Sequence, residues 1–219
     1  MMQFQRLIKA WRASESLHKI NSRATDYDLE LAEAALGFPL PDSLRELYQF
    51  SDGIYLLEGN LQIHPLQETN GVDGLSTASS ANLRKWGWQV PIEVLAFGNN
   101  GGDEQPGIWL PEVQGSAFKH PILEIGEIFE PQSMAILATD LESFLVGWTA
   151  YYSMLCEADS SALDMLGVPD TLRFKSDDLD GEVFARLRQW ADPHLPDPYP
   201  DPYRKPYDAE GLRKFFASK

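Results

Sequence analysis

Between Leu29 and Gly53 the chain alternates helix-forming runs with residues that stop or restart a helix, and this punctuation constrains the fold more than any other feature. Leu29, Ala32 and Leu36 share one side of a helix capped by Thr25 or Asp26, with Glu30 and Glu33 facing solvent. Gly37 supplies a left-handed stop. The run Phe38-Pro39-Leu40-Pro41 is then held extended, because each proline disfavours helix at the residue before it. Asp42-Ser43 restart a helix with Leu44, Leu47 and Tyr48 inward, and Gly53 follows its end. Upstream, Phe4, Leu7, Ile8 and Trp11 recur at i, i+3, i+4, i+7, which predicts an amphipathic helix over residues 2 to 19.

After Gly53 the pattern changes to strands. Ile54 to Leu57, the turn Glu58-Gly59-Asn60, and Leu61 to Ile63 form a predicted hairpin. Asn70 to Asn82 is polar and predicted as loop with a brief helix, and Ile92 to Phe97, Gly107 to Leu110, Ile122 to Ile125 and Met134 to Ala138 are predicted strands. Thr139-Asp140-Leu141-Glu142 has the form of a capping box opening an apolar helix through Leu155. Helices, then an antiparallel-looking set of strands, then a helix give an α+β fold. Residues 1–155 are expected to form the domain. Residues 156–219 are a C-terminal extension: a short helix over Val183 to Trp190, a proline-rich stretch from Asp192 to Tyr203, and a last helix from Asp208 to Phe216, docked on the domain.

Charge narrows the function. The 33 Asp and Glu outnumber the 18 Lys and Arg, leaving −15. Residues 24–155, which hold nineteen acidic and four basic side chains, carry the whole of that excess. Such a surface argues against nucleic acid, whose affinity comes from cations neutralising phosphate, and against an anionic membrane. It serves solubility, or it steers basic partners. No run of about 18 apolar residues occurs, and Met1 to Ile20 lacks the uninterrupted apolar centre of a secretory signal. The single cysteine, Cys156, has no internal partner for a disulfide. A cytoplasmic location is expected.

The chemistry of an enzyme is not legible. Cys156 lies near a helix C-terminus, where the dipole raises a thiol pKa, and no nucleophile elbow, phosphate loop or zinc-type spacing of Cys and His occurs. No catalytic residue, metal ligand or cofactor site is assigned. Gly98 to Gly107 reads as a wide hairpin turn or as a contact loop for a basic partner, since Asp103 and Glu104 would repel an anion. Trp86, Trp88 and Trp109 read as core or as a platform for sugars.

With these elements placed, Glu33, Leu36-Gly37, Leu40-Pro41, Leu44, Leu47-Tyr48 and Ser51-Asp52-Gly53 resemble the signature of the SUKH superfamily, known for yeast cell-wall-assembly regulators and bacterial toxin-immunity proteins. The order of later strands and the Phe144 to Trp148 helix are similar too, so the resemblance covers about residues 5 to 155. It departs in having Ser51-Asp52-Gly53 where Asn-Gly is commoner, a long insert at Asn70 to Trp86, and the extension. The resemblance implies an α+β domain whose helices flank a bent, mostly antiparallel sheet, a non-catalytic protein-binding domain without cofactor in which Glu33, Gly37, Pro41, Gly53 and Trp148 have structural roles. It also implies a protein partner, a basic toxin domain such as a nuclease, or else a regulatory scaffold role. The carboxylates expected to meet that partner are Asp103 and Glu104, then Asp52, Glu127 and Glu130.

Overall fold

The computed structural model describes residues 4–68, 74–76, 90–100, 105–113, 118–125, 134–158, 160–195 and 209–218. Helix α1 spans Gln5–Ala13 and buries Leu7, Ile8, Ala10 and Trp11. It ends earlier than the periodicity predicts, because the chain passes through a 3-10 turn, Glu15–Leu17, and goes extended as β1, Lys19–Ile20, to pair with Ile54 and Tyr55. Helices α2, Asp26–Leu36, and α3, Asp42–Phe50, follow as expected. Thr25 caps α2 in a reciprocal box with Asp28, accepting from the Asp28 N–H while the Asp28 carboxylate accepts from the Thr25 N–H at 2.8 Å.

The strands are β2 (Ile54–Leu56), β3 (Leu61–Ile63), β4 (Val94–Ala96), β5 (Gly98–Asn99), β6 (Gln105–Trp109), β7 (Ile122–Ile125) and β8 (Met134–Ala138). They form two four-stranded antiparallel sheets, ordered β1-β2-β3-β5 and β4-β6-β7-β8. One run of chain serves both: β4 pairs with β6, and two residues later β5 pairs with β3. The predicted bent sheet is therefore two sheets joined at Phe97, whose carbonyl accepts the His64 N–H at 3.0 Å while its own N–H donates to Pro106. Of the predicted Ile92 to Phe97 strand, Ile92 is 73% exposed and lies outside the pairing.

Helix α4, Leu141–Leu155, buries side chains on all sides, as a helix enclosed by other elements must. The expected capping box at its start does not form. Asp140 is the cap, accepting the Ser143 N–H at 2.8 Å, while Thr139 is drawn away by a stronger acceptor, the buried Asp192 carboxylate. Helix α5, Ser160–Leu166, was not predicted; it packs on α1. Helix α6, Gly181–Ala191, packs on α4, and its Arg188 guanidinium donates to the Ile136 and Leu137 carbonyls of β8 at 3.0 and 2.7 Å. Leu163, Leu166, Val183 and Leu187 join the same buried cluster as α1 to α4. Helix α7 is Ala209–Ala217. The architecture is α+β.

Candidate functional site

The stops and starts that open the chain become a small network of polar contacts. Gly37 adopts φ +83°, and its N–H donates to the Glu33 carbonyl. The Glu33 carboxylate was expected in solvent, but it turns back: Oε1 accepts the Leu40 N–H at 2.8 Å and the Arg45 guanidinium at 2.6 Å. Burial alone would raise its pKa, yet these two donors hold it below the ordinary carboxylate range. Glu33 thus secures the Leu-Pro link between α2 and α3, a link whose prolines offer no N–H of their own. At the far end of α3, the buried Tyr48 hydroxyl donates to the His64 carbonyl at 2.8 Å. Gly53 has φ +83° and sits where an added Cβ would lie 3.1 Å from the Pro65 nitrogen and 3.2 Å from Asn21 Nδ2. Asn21 donates to the Asp52 carbonyl and Asp52 Oδ1 accepts the Leu66 N–H, at 2.8 and 2.7 Å. Asp52 is half-buried, and that burial raises its pKa.

On the other side of the Leu-Pro link lies a groove of about 730 Å³. Pro39, Leu40 and Pro41 form one wall, Leu110 and Glu112 after β6 with Lys119 and His120 before β7 form another, and Asp140 and Glu142 at the start of α4 close it. Asp42 and Glu112 are exposed on it. Asp140 is engaged as the α4 cap, and Glu142 faces Arg6 of α1 at 3.3 Å. Burial pushes the Glu142 carboxyl up, and the nearby charges of Asp140 and Glu46 add to this against the opposing Arg6. Four carboxylates with Lys119 as their basic neighbour in the wall suit a cationic group entering from outside. His120 Nδ1 lies 3.1 Å from the Trp109 carbonyl, which orients its ring within the wall.

A family model described as the SMI1 / KNR4 family (SUKH-1) matches residues 23–147. The chain belongs to this SUKH family. The match includes Glu33, Gly37, Pro41, Arg45, Tyr48, Asp52 and Gly53 and both sides of the groove, while Asn21 lies just before it. No curated protein matches the chain. SUKH domains generally act through protein–protein interaction, and membership fits a non-catalytic binding domain.

Within this SUKH chain, Glu33, Gly37, Pro41 and Gly53 come together around α3, whereas Trp148 lies apart on α4, stacked on Tyr152 at 4.8 Å and edge-on to Phe184 at 5.5 Å. Asp103, Glu104, Glu127 and Glu130 lie outside the described residues, as do Trp86, Trp88 and most of Asn70 to Asn82. Trp109 is core, 3% exposed against Phe216. Among the described residues no cluster of His, Cys, Asp and Glu could hold a metal, and no helix is long and apolar enough to cross a membrane. Burial raises the Cys156 thiol pKa, and the Glu58 charge adds to it. Sequence reasoning missed the groove carboxylates because their convergence depends on tertiary structure. The usable signal was Asp42, which directly follows the Leu40-Pro41 pair.

Proposed function

We propose that this chain is an immunity-type SUKH domain that neutralises a basic toxin domain, such as a nuclease, by binding it in the cytoplasm. The observation that carries this reading is the groove beside the family's Leu-Pro link, walled by Asp42, Glu112, Asp140 and Glu142. A nuclease is cationic where it holds phosphate, so acidic side chains can occupy that surface as its substrate does, and a chain of net charge −15 is drawn to it by long-range attraction. Asp103 and Glu104, which lie in sequence between β5 and β6, are proposed as a second contact, with lesser roles for Asp52, Glu127 and Glu130. Asp52 already spends one oxygen on Leu66.

The test uses the protein encoded by the neighbouring reading frame as the candidate toxin. Asp42→Lys with Glu112→Lys reverses two exposed charges, and Asp103→Lys with Glu104→Lys reverses the second pair. Each pair is expected to weaken binding at least tenfold and to flatten its salt dependence. Affinity and salt dependence unchanged in both double variants would refute the reading. A regulatory scaffold is favoured instead by the six prolines between Asp192 and Asp208. Replacing residues 196–208 with Gly and Ser of equal length keeps α7 while removing those prolines from Pro196 onward; a scaffold loses its partners, whereas a groove-binding immunity protein keeps its toxin.

A further inference from the structure

The second sheet is apolar on both faces. Leu95, Ile108, Ile122 and Leu137 point into the main core, while Val94, Ala96, Trp109, Leu123, Ile125 and Met134 form a separate buried cluster on the opposite side. An antiparallel sheet commonly leaves one face to water, so an apolar second face requires a cover. Among the described residues the cover is α7. Its Leu212 is fully buried, Phe216 packs on Trp109 at 5.1 Å, and Phe215 meets Phe118 edge-on at 5.9 Å. Arg213 makes a bidentate pair with Glu93, Nε to Oε1 at 2.7 Å and Nη2 to Oε2 at 3.0 Å.

Two facts separate this cover from an ordinary core helix. The face is made entirely of residues inside the family match, 23–147, whereas α7 lies outside it. The family domain therefore carries an apolar face whose lid comes from elsewhere in the chain. In addition, among the described residues the cluster beneath α7 draws none of its side chains from α1 to α6, so α7 can leave without opening the main core.

We propose that the outer face of the second sheet is a helix-docking surface, that α7 is its resident ligand, and that a protein partner enters by laying a basic amphipathic helix there in place of α7. The chemistry of the incoming helix is read from the occupant: large apolar residues at i, i+3 and i+4, as in Leu212, Phe215 and Phe216, and a cation beside them for Glu93. A second copy of the chain is the poorer occupant, since two bodies of −15 repel each other. That the incoming helix belongs to a partner rests on reading the chain as a protein-binding domain; the exchangeability of α7 does not, and the experiment tests it without any toxin.

The probe is a fluorescein-labelled peptide of residues 206–219, titrated by anisotropy against the full chain and against the full chain carrying Leu212→Asp and Phe216→Asp. In the wild type the tethered helix competes at an effective concentration on the order of millimolar. The double variant is expected to bind the peptide at least tenfold more tightly than the wild type, and to lose it again when Trp109→Lys is added. A folded double variant that does not bind the peptide overturns the proposal. If the double variant does not fold, hydrogen exchange on the wild type decides. Amides of α7 exchanging at least a hundredfold faster than those of α4 support an exchangeable cover, and equal rates overturn it. A concentration-dependent dimer of the wild type in sedimentation would overturn the partner helix as occupant.

Discussion

Replacing Asp192 with Ala should cost more stability than any surface substitution in the extension. Asp192 is 2% exposed, and its carboxylate accepts the Thr139 N–H at 2.6 Å, the Thr139 hydroxyl at 3.0 Å and the His194 N–H at 3.1 Å. It also lies near the largely buried Arg188, whose pKa burial lowers to about 10 against the opposing Asp192 charge. Alanine leaves the buried Thr139 N–H without its acceptor, at about 1–3 kcal/mol, and removes a counter-charge from Arg188, so the total is about 3–5 kcal/mol. One effect runs the other way: Asp192 caps the C-terminus of α6, where a negative charge is unfavourable by about 0.5 kcal/mol, too little to offset the loss. With a urea m-value of about 3 kcal/mol per M, the unfolding midpoint should fall by about 1–1.7 M. Asp192→Asn keeps one acceptor oxygen and should cost about 1–2 kcal/mol. A double-mutant cycle with Thr139→Val should show coupling above about 0.5 kcal/mol. A midpoint shift below about 0.3 M for Asp192→Ala, or a coupling near zero, would refute the argument that this carboxylate joins α6 to the end of β8.

Two glycines with the same φ of +83° should respond differently to alanine. Gly37→Ala meets no atom within 4 Å and should cost only the left-handed backbone, about 1–2 kcal/mol, whereas Gly53→Ala adds contact with the Pro65 backbone and should cost at least about 1 kcal/mol more in the same urea assay. Glu33→Ala frees both the Leu40 N–H and Arg45, and should lower stability by about 2 kcal/mol, with Glu33→Gln recovering part of it. His18 accepts the Leu57 N–H on Nδ1, and burial lowers its pKa from 6.5 to about 4. Between those values the unfolded chain binds more protons than the folded one, so stability conferred by neutral His18 is complete above pH 6.5 and is lost as pH falls towards 4. Asp52 and Glu142, raised by burial, act in the opposite sense, so the test is the difference in melting temperature between wild type and His18→Gln across that window. The difference should change with pH, and a constant offset would count against the reading.

Much of the fold was legible because it rests on local rules. Gly37, Pro41 and Gly53 act through backbone dihedrals that the residue type sets, and Phe4, Leu7, Ile8 and Trp11 share a face because of helical period. Features decided by partners distant in sequence were not legible. Thr139 matched a capping box, but an acceptor 53 residues away took its hydroxyl. Glu33 fell on the solvent side of the α2 helical wheel, and only the reversal of the chain at Gly37 brings Arg45 and the Leu40 N–H to it. One continuous apolar run, Val94 to Phe97, concealed a change of sheet, since alternation reports which face a residue takes and not which strand it pairs with. The groove is a fourth case: Asp42, Glu112 and Glu142 are far apart in the chain, and nothing in their local sequence distinguishes them from other surface carboxylates.

The central claim is that this SUKH chain is a binding protein whose acidic groove meets a basic partner. Its most direct test is co-expression of the chain with the product of the neighbouring reading frame, measuring both growth and the affinity of the purified pair. The account predicts that the wild-type chain binds that product and restores growth, and that Asp42→Lys with Glu112→Lys lowers affinity at least tenfold while leaving the urea midpoint unchanged. Full protection and unchanged affinity with the groove charges reversed would contradict it.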